Sequence, residues 1–142
     1  MFNSQVQADS KLAFKGKCVG VDPHNVRNGG IVQLRPCEEQ GNHNNWYFDG
    51  YGGPGKLPIQ ADRSLCLDVK DHSFHNGQVL QLWKCEDWND DQKLSIHKSD
   101  HDYRLQWHNH PHYYVDVKDG SNDLWNQVQI WKRGPNQHFY DD

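Results

Sequence analysis

The feature of this sequence that most constrains its fold is a repeat with a period of 48 residues. Three segments align without gaps from residues 18, 66 and 114, and three more from residues 33, 81 and 129. The first set reads Cys-Val-Gly-Val-Asp, Cys-Leu-Asp-Val-Lys and Tyr-Val-Asp-Val-Lys; the second reads Gln-Leu-Arg, Gln-Leu-Trp and Gln-Ile-Trp. Each unit then closes on an apolar residue that we predict to be core: Trp46, Leu94 and Phe139. A fixed period indicates internal duplication, with repeats at approximately residues 1–52, 53–101 and 102–142.

The residue pattern within each unit predicts β-strands. Residues 115–117 and 128–131 alternate or cluster β-branched and aromatic side chains, as half-buried strands do. Asn-Gly and Asp-Gly turn signals stand between such segments, at residues 28–30, 76–77 and 119–122. No stretch shows a sustained apolar period of 3.6 residues, so we expect almost no helix. The prediction is a single all-β domain over residues 1–142, with three units packed around a pseudo-threefold axis.

Composition excludes several classes of protein. The chain has 142 residues, the size of one domain, and only 35% are hydrophobic, but 17 large aromatic rings argue against disorder. The net charge of −4 leaves no basic excess for binding nucleic acid. No apolar run approaches the length of a membrane span, and the polar first five residues do not resemble a signal peptide. We therefore expect a cytoplasmic or non-classically secreted protein, or a mature extracellular domain if disulfides form.

The four cysteines follow the repeat. The first pair, Cys18 and Cys37, is separated by 19 residues, and so is the second pair, Cys66 and Cys85. Three connectivities are open to four cysteines, and the repeat favours one bridge within each of the first two units. Buried reduced thiols are the alternative. The third unit has Tyr114 at the first of these positions, so the architecture does not require the bridge.

The combined motifs resemble the ricin-B-type lectins, which are also classed as carbohydrate-binding modules of family thirteen. The resemblance rests on the Cys-Leu-Asp-Val, Asn-Gly, Gln-Leu-Trp and closing Gln motifs and covers roughly residues 12–142. It implies a β-trefoil fold and shallow sites for galactose or N-acetylgalactosamine on glycans, up to one per repeat. In such a site a carboxylate accepts hydrogen bonds from sugar hydroxyls, and an aromatic ring packs on the C–H face of the sugar.

The resemblance implies its most complete sugar site in the third repeat. Asp116 corresponds to the hydroxyl acceptor, Trp131 to the aromatic platform and Asn136 to a second polar contact. Gln137 corresponds to the residue that holds the carboxylate, and Gln129 supports the floor of the site.

The second repeat keeps the same pattern with one change. Asp68, Gln81, Trp83 and Gln92 stand at the matching positions. Asp91 replaces the Asn of the third repeat, so that position can accept a hydrogen bond but not donate one.

The first repeat departs from the pattern, and we predict that its site does not bind sugar. Gly20 stands at the carboxylate position and Arg35 at the ring position, although Asp22 lies two residues away. A buried core position would not accept an arginine without a partner. The arginine therefore places the equivalent residues, Trp83 and Trp131, at the surface.

Other functions find less support in the sequence. No catalytic motif is present, and adjacent acidic residues in turns do not face each other across a cleft, so we expect no enzyme activity. The His-rich segment 97–112 is interrupted by Pro111, and we expect neither a metal site nor a cofactor. A protein-binding β-trefoil such as a protease inhibitor is the alternative function. The sequence leaves open the preferred glycan and whether the chain forms a homodimer.

Overall fold

The computed structural model describes residues 9–48 and 54–141 and confirms the all-β prediction. Thirteen short strands occupy these residues. In chain order they are β1 (Asp9–Ser10), β2 (Ala13–Phe14), β3 (Lys17–Gly20), β4 (Gln33–Pro36), β5 (Trp46–Tyr47), β6 (Pro58–Ile59), β7 (Asp62–Val69), β8 (Leu80–Lys84), β9 (Leu94–Ser99), β10 (Asp102–Trp107), β11 (Tyr113–Val117), β12 (Val128–Lys132) and β13 (Phe139–Tyr140).

Helix is confined to five single turns of 3₁₀ geometry within the described residues. They are Pro23–Asn25, Lys70–His72, Asp90–Gln92, Lys118–Gly120 and Pro135–Gln137. None of the helical turns in these two stretches of chain has the length or apolarity needed to cross a membrane. The last four of these turns lie beside strands that carry predicted site residues and contribute residues to the rims of the candidate sites.

The strands form two antiparallel sheets. One has the order β1-β5-β6-β7-β8, and the other has the order β12-β11-β10-β13-β2-β3-β4, with β9 also paired to β10. Three hairpins, β3–β4, β7–β8 and β11–β12, share one register. Gly20 pairs with Gln33, Asp68 with Gln81, and Asp116 with Gln129. The 48-residue repeat of the sequence is therefore a repeat of strand pairing.

Backbone contacts join the three hairpins into a ring. Isolated β-bridges pair Ile31 with Gln81, Val79 with Gln129, and Gln127 with Gln33, and these three bridges are equivalent under the 48-residue repeat. Matching hydrogen bonds run from the amides at positions 82, 130 and 34 to the carbonyls at positions 30, 78 and 126, over 2.8, 3.0 and 3.0 Å. Each repeat is thus bonded to the next, and the third repeat is bonded to the first.

The core lies between the hairpins. The predicted core residues Trp46, Leu94 and Phe139 have no exposed surface, which confirms their assignment. The buried indoles also have hydrogen-bond partners: Trp46 Nε1 donates to the carbonyl of Val19 at 3.0 Å, as expected of a polar atom inside a core.

Both disulfides favoured by the repeat are present, Cys18–Cys37 and Cys66–Cys85. Each links the two sides of one hairpin and so restrains the end of the strand that carries Arg35 or Trp83. In the third repeat the guanidinium of Arg133 lies over the ring of Tyr114 at 5.9 Å, at the two positions that the cysteines occupy elsewhere.

Removing a disulfide is expected to destabilise the fold more than removing this cation–π contact. The variant Cys66→Ala/Cys85→Ala frees a loop of 19 residues in the unfolded chain. We therefore expect the free energy of unfolding to fall by about 3 kcal/mol. Arg133→Ala is the matched control and is expected to lower it by about 1 kcal/mol or less. Equal urea midpoints for the double variant and the unsubstituted protein would contradict this prediction.

Candidate functional site

The third repeat contains a pocket of about 420 Å³ that brings together four of its five predicted residues. Asp116, Gln129, Trp131 and Asn136 line the pocket. The fifth, Gln137, is buried behind the wall and hydrogen bonded to Asp116.

Two glutamines hold the carboxylate of Asp116. Gln129 lies opposite it on β12 and donates from Nε2 to Asp116 Oδ1 at 3.0 Å. Gln137 Nε2 donates to Asp116 Oδ2 at 3.0 Å and also to the carbonyl of Lys132 at 2.8 Å. Burial raises the pKa of Asp116, and the two glutamine hydrogen bonds oppose that rise. Because each carboxylate oxygen has more than one lone pair, Asp116 can still accept further hydrogen bonds.

The ring of Trp131 is an exposed platform beside this carboxylate. Its residue surface is 41% exposed, which agrees with the predicted surface position. The loop of the preceding repeat borders the ring: a Cβ atom at Gly77 would lie 3.8 Å from Trp131 Cζ3. Gly77 has a φ of +96°, a conformation that favours glycine. The Asn76 side chain accepts from the amide of Lys132 at 2.9 Å and holds the loop in place.

The second repeat has a larger pocket, of about 770 Å³, that has the same construction. Asp68, Gln81, Trp83 and Asp91 line it, and Trp83 is 39% exposed. Gly29 of the preceding repeat borders this pocket as Gly77 borders the other, and its amide donates to the carbonyl at position 82 over 2.8 Å. Each pocket is therefore built at a junction between two repeats.

The carboxylate of Asp68 is less well satisfied than that of Asp116. Gln81 Nε2 donates to its Oδ2 at 2.8 Å, whereas its Oδ1 is buried with no hydrogen-bond partner among residues 9–48 and 54–141. Gln92, the predicted brace, donates to the carbonyl at position 84, at 2.9 Å, and its amide also favours the charged form of Asp68. Burial raises the pKa of Asp68 to about 6, and the negative charges of Asp91 and Glu86 add to the rise. The amides of Gln81 and Gln92 oppose it.

Asp91 pairs with a histidine that the sequence did not indicate. Its Oδ1 hydrogen bonds with Nδ1 of His72, whose side chain is 73% exposed at the rim of the pocket. Position 72 corresponds to Gly120 in the third repeat, where a Cβ atom would lie 2.5 Å from Asn136 Oδ1. In both repeats this position therefore meets the residue before the closing glutamine, and comparing the repeats there is the signal that could have identified His72.

The first repeat has no space for a carboxylate at the expected position. A Cβ atom on Gly20 would lie 1.8 Å from Asn44 Oδ1. Asn44 is held in that space by donating from Nδ2 to Glu39 at 2.9 Å and to the carbonyl of Pro36 at 3.2 Å. Asp22 does not take the carboxylate position, because its side chain accepts from the amide of His24 in a 3₁₀ turn.

Arg35 is buried, so the prediction that an arginine marks this position as exposed is wrong for the first repeat. Only 5% of its surface is exposed, and it has the partner that a buried arginine requires: both oxygens of Glu39 accept from it, at 2.8 and 2.9 Å. The two tryptophans at the equivalent positions are nevertheless exposed. The ring of Trp125 lies 4.6 Å from the Arg35 guanidinium. Trp125 takes the place of the glycines at positions 29 and 77 and keeps a φ of +70°.

No group of three or more His, Cys, Asp or Glu side chains within residues 9–48 and 54–141 is arranged to hold a metal ion. In the His-rich segment, His110 is stacked on Phe74, with the ring centroids 3.7 Å apart.

Solved structures with this fold include three that span nearly the whole chain. A designed threefold symmetric protein, ThreeFoil, has a TM-score of 0.83 and 21% identity, covering 94% of this chain and 96% of its own. The ricin B-like lectin of Macrolepiota procera, solved with lactose, has a TM-score of 0.77 and 16% identity, covering 99% of both. The C-half of the earthworm R-type lectin, solved with GalNAc, has a TM-score of 0.68 and 16% identity, covering 94% and 97%.

These similarities show the β-trefoil fold that the sequence resemblance implied. No curated protein sequence matches the chain significantly. A family model, the ricin-type β-trefoil lectin domain, matches residues 6–139. This match favours carbohydrate binding over the protein-binding alternative. The chain therefore belongs to the ricin-type β-trefoil lectin domain family.

Proposed function

We propose that the chain is a non-enzymatic lectin that binds galactose- or N-acetylgalactosamine-type glycans through its second and third repeats. The observation that carries the proposal is the buried carboxylate of Asp116, held by two glutamine amides beside the exposed ring of Trp131. The same arrangement of carboxylate, glutamine and exposed ring recurs with Asp68 and Trp83. Two similarly folded proteins, solved with lactose and with GalNAc, support the sugar class.

The chemistry of the pocket suits a neutral pyranose. An ionised carboxylate accepts hydrogen bonds from neighbouring sugar hydroxyls, and these charge-assisted bonds are stronger than neutral ones. In galactose the axial 4-hydroxyl leaves one face of the ring with C–H groups, and this face can pack on an indole while excluding water. Because the glutamines hold the carboxylate before the sugar arrives, little side-chain freedom is lost on binding.

Two sites on one chain suit the protein to crosslinking. The third-repeat site is bordered by Gly77 and the second-repeat site by Gly29, so they lie at different junctions of the ring. A surface with many glycans can occupy both, which raises the apparent affinity above that of either site. We propose that the first repeat does not contribute, since Asn44 fills the carboxylate position and Arg35 is paired with Glu39.

Substitution of the carboxylate or the ring is expected to abolish the third site while the fold is retained. Asp116→Ala removes the hydroxyl acceptor and Trp131→Ala removes the apolar platform. Each is expected to weaken methyl β-galactoside binding at this site by at least about thirtyfold. Backbone amide signals of pocket residues in a heteronuclear NMR titration, Asn136 for the third site and Asn89 for the second, measure each site separately in both variants, and the second site serves as the internal control. Unchanged binding at the third site in either variant would refute the assignment.

Binding at the second site is expected to weaken as the pH falls through about 6. The pKa of Asp68 is about 6 in the free protein, and a protonated carboxyl cannot accept hydroxyl hydrogen bonds in the same way. At about pH 5 one carboxyl in ten is ionised, so affinity is expected to be about tenfold lower than at about pH 7.5. The third site is expected to lose less, because the pKa of Asp116 is raised less strongly. A titration in which both sites weaken equally would contradict the role given to Asp68.

The charge on Asp68 is expected to destabilise the folded protein. Because folding raises its pKa from 3.8 to about 6, the penalty develops as the pH rises between these values and is complete above them. Asp68→Asn is therefore expected to raise the free energy of unfolding at about pH 7.5 by up to about 3 kcal/mol and to leave it unchanged near pH 3.5.

Thermal unfolding at the two pH values tests this expectation. Asp116→Asn is the matched control and is expected to give a smaller gain, since two glutamines already stabilise that carboxylate. A gain for Asp68→Asn that is the same at both pH values would show that charge is not its cause.

A further inference from the structure

The second repeat has a longer rim loop than the third, and the extra residues carry a tryptophan. Eight residues span positions 85–92, whereas five span the equivalent positions 133–137. The insertion contains Trp88, which lines the pocket of Asp68 together with Trp83. Trp88 is 74% exposed, more than any other large hydrophobic residue in the described part of the chain.

The loop that carries Trp88 is held in one conformation. Asn89 donates through its backbone and side chain to Glu86, both at 3.1 Å, and its Oδ1 accepts from the amide of Asp91 at 2.9 Å. Gln92 Oε1 accepts from the Glu86 amide at 2.8 Å. The Cys66–Cys85 disulfide fixes the beginning of the loop, and Lys56 forms an ion pair with Asp87. An exposed indole on a well-ordered loop is prepared to meet an apolar surface from outside the protein.

The pocket beneath this loop is larger than the third-repeat pocket, which we propose holds one sugar residue. Its volume is about 770 Å³, against about 420 Å³ in the third repeat, where, among the described residues, Trp131 is the one aromatic ring in the lining. The second pocket therefore has two indoles and nearly twice the space. Its rim also carries more acid than base, with Asp71, Glu86 and Asp90 beside Lys70, which disfavours an acidic ligand.

We infer that the second repeat binds a neutral oligosaccharide of at least two pyranose residues, with the terminal residue on Trp83 and the next residue packed against Trp88. The third repeat, which lacks this loop, binds a terminal residue alone. The inference rests on the proposed function and adds the ligand length and the residue that sets it. Trp88 thereby makes the two sites of one chain different in what they recognise.

A titration of the full chain with two neutral probes tests the inference. Methyl β-galactoside is expected to shift the indole N–H signals of Trp83 and Trp131 but not that of Trp88. Lactose is expected to shift the Trp88 signal as well and to bind the second site about tenfold more tightly than the monosaccharide does. At the third site the two probes are expected to bind within about twofold of each other.

Variants separate the ring of Trp88 from other effects. Trp88→Ala is expected to abolish the preference of the second site for lactose, and Trp88→Tyr is expected to retain most of it. Trp125→Ala, which removes another exposed indole outside both pockets, is the matched control and keeps the preference.

The outcomes distinguish this inference from the proposed function. If both sugars shift Trp83 but lactose has no advantage, or if Trp88→Ala keeps that advantage, the two-residue subsite is wrong and the lectin assignment stands. If neither sugar shifts Trp83 or Trp131, this inference is overturned, and if methyl N-acetylgalactosaminide also shifts neither signal, the proposed function is overturned with it.

Discussion

The ring of backbone hydrogen bonds between repeats is the constraint on which the rest of the molecule depends. The backbone amides at positions 34, 82 and 130 each donate to a carbonyl of the neighbouring repeat. A repeat by itself therefore lacks the acceptors for these hydrogen bonds. The same contacts place the loops at positions 28–29, 76–77 and 124–125 beside Trp83, Trp131 and Arg35 of the neighbouring repeat, respectively. Fold and site are therefore consequences of one arrangement, and a loop residue in one repeat determines the surroundings of a side chain in another.

Differences between the three sites follow from how each buried polar group is satisfied. Asp116 accepts from two glutamine amides, whereas Asp68 lies beside the negative charges of Asp91 and Glu86, so the second carboxylate is the more costly to ionise. In the first repeat the buried charge is Arg35, and Glu39 compensates it at close range, with the pKa of Glu39 lowered to about 2 by that hydrogen bond. In the first repeat the buried polar groups thus hydrogen bond to one another, whereas in the other two a carboxylate, Asp68 or Asp116, can still accept a hydrogen bond from a ligand.

Much of this arrangement could be predicted from the sequence because the repeat register carries it. The equivalence of the Asp68–Gln81 and Asp116–Gln129 pairs, the favoured disulfides and the core position of Trp46 agree with the 48-residue spacing. Contacts that break the repeat could not be predicted in this way. The exposure of Trp88, which lies in an insertion that the third repeat lacks, depends on the path of its loop, which the motifs do not determine.

The placement of each pocket between two repeats has a consequence for how such a chain gains and loses sites. A single copy of the repeat has no complete pocket, and two copies in tandem have one, at the boundary between them. The third copy adds a second boundary along the chain and also creates a third by closing the circle. At that closing boundary Trp125 of the last repeat covers Arg35 of the first, and Asn44 lies where the other two repeats have a carboxylate. The two open pockets are those that lie between repeats consecutive in sequence.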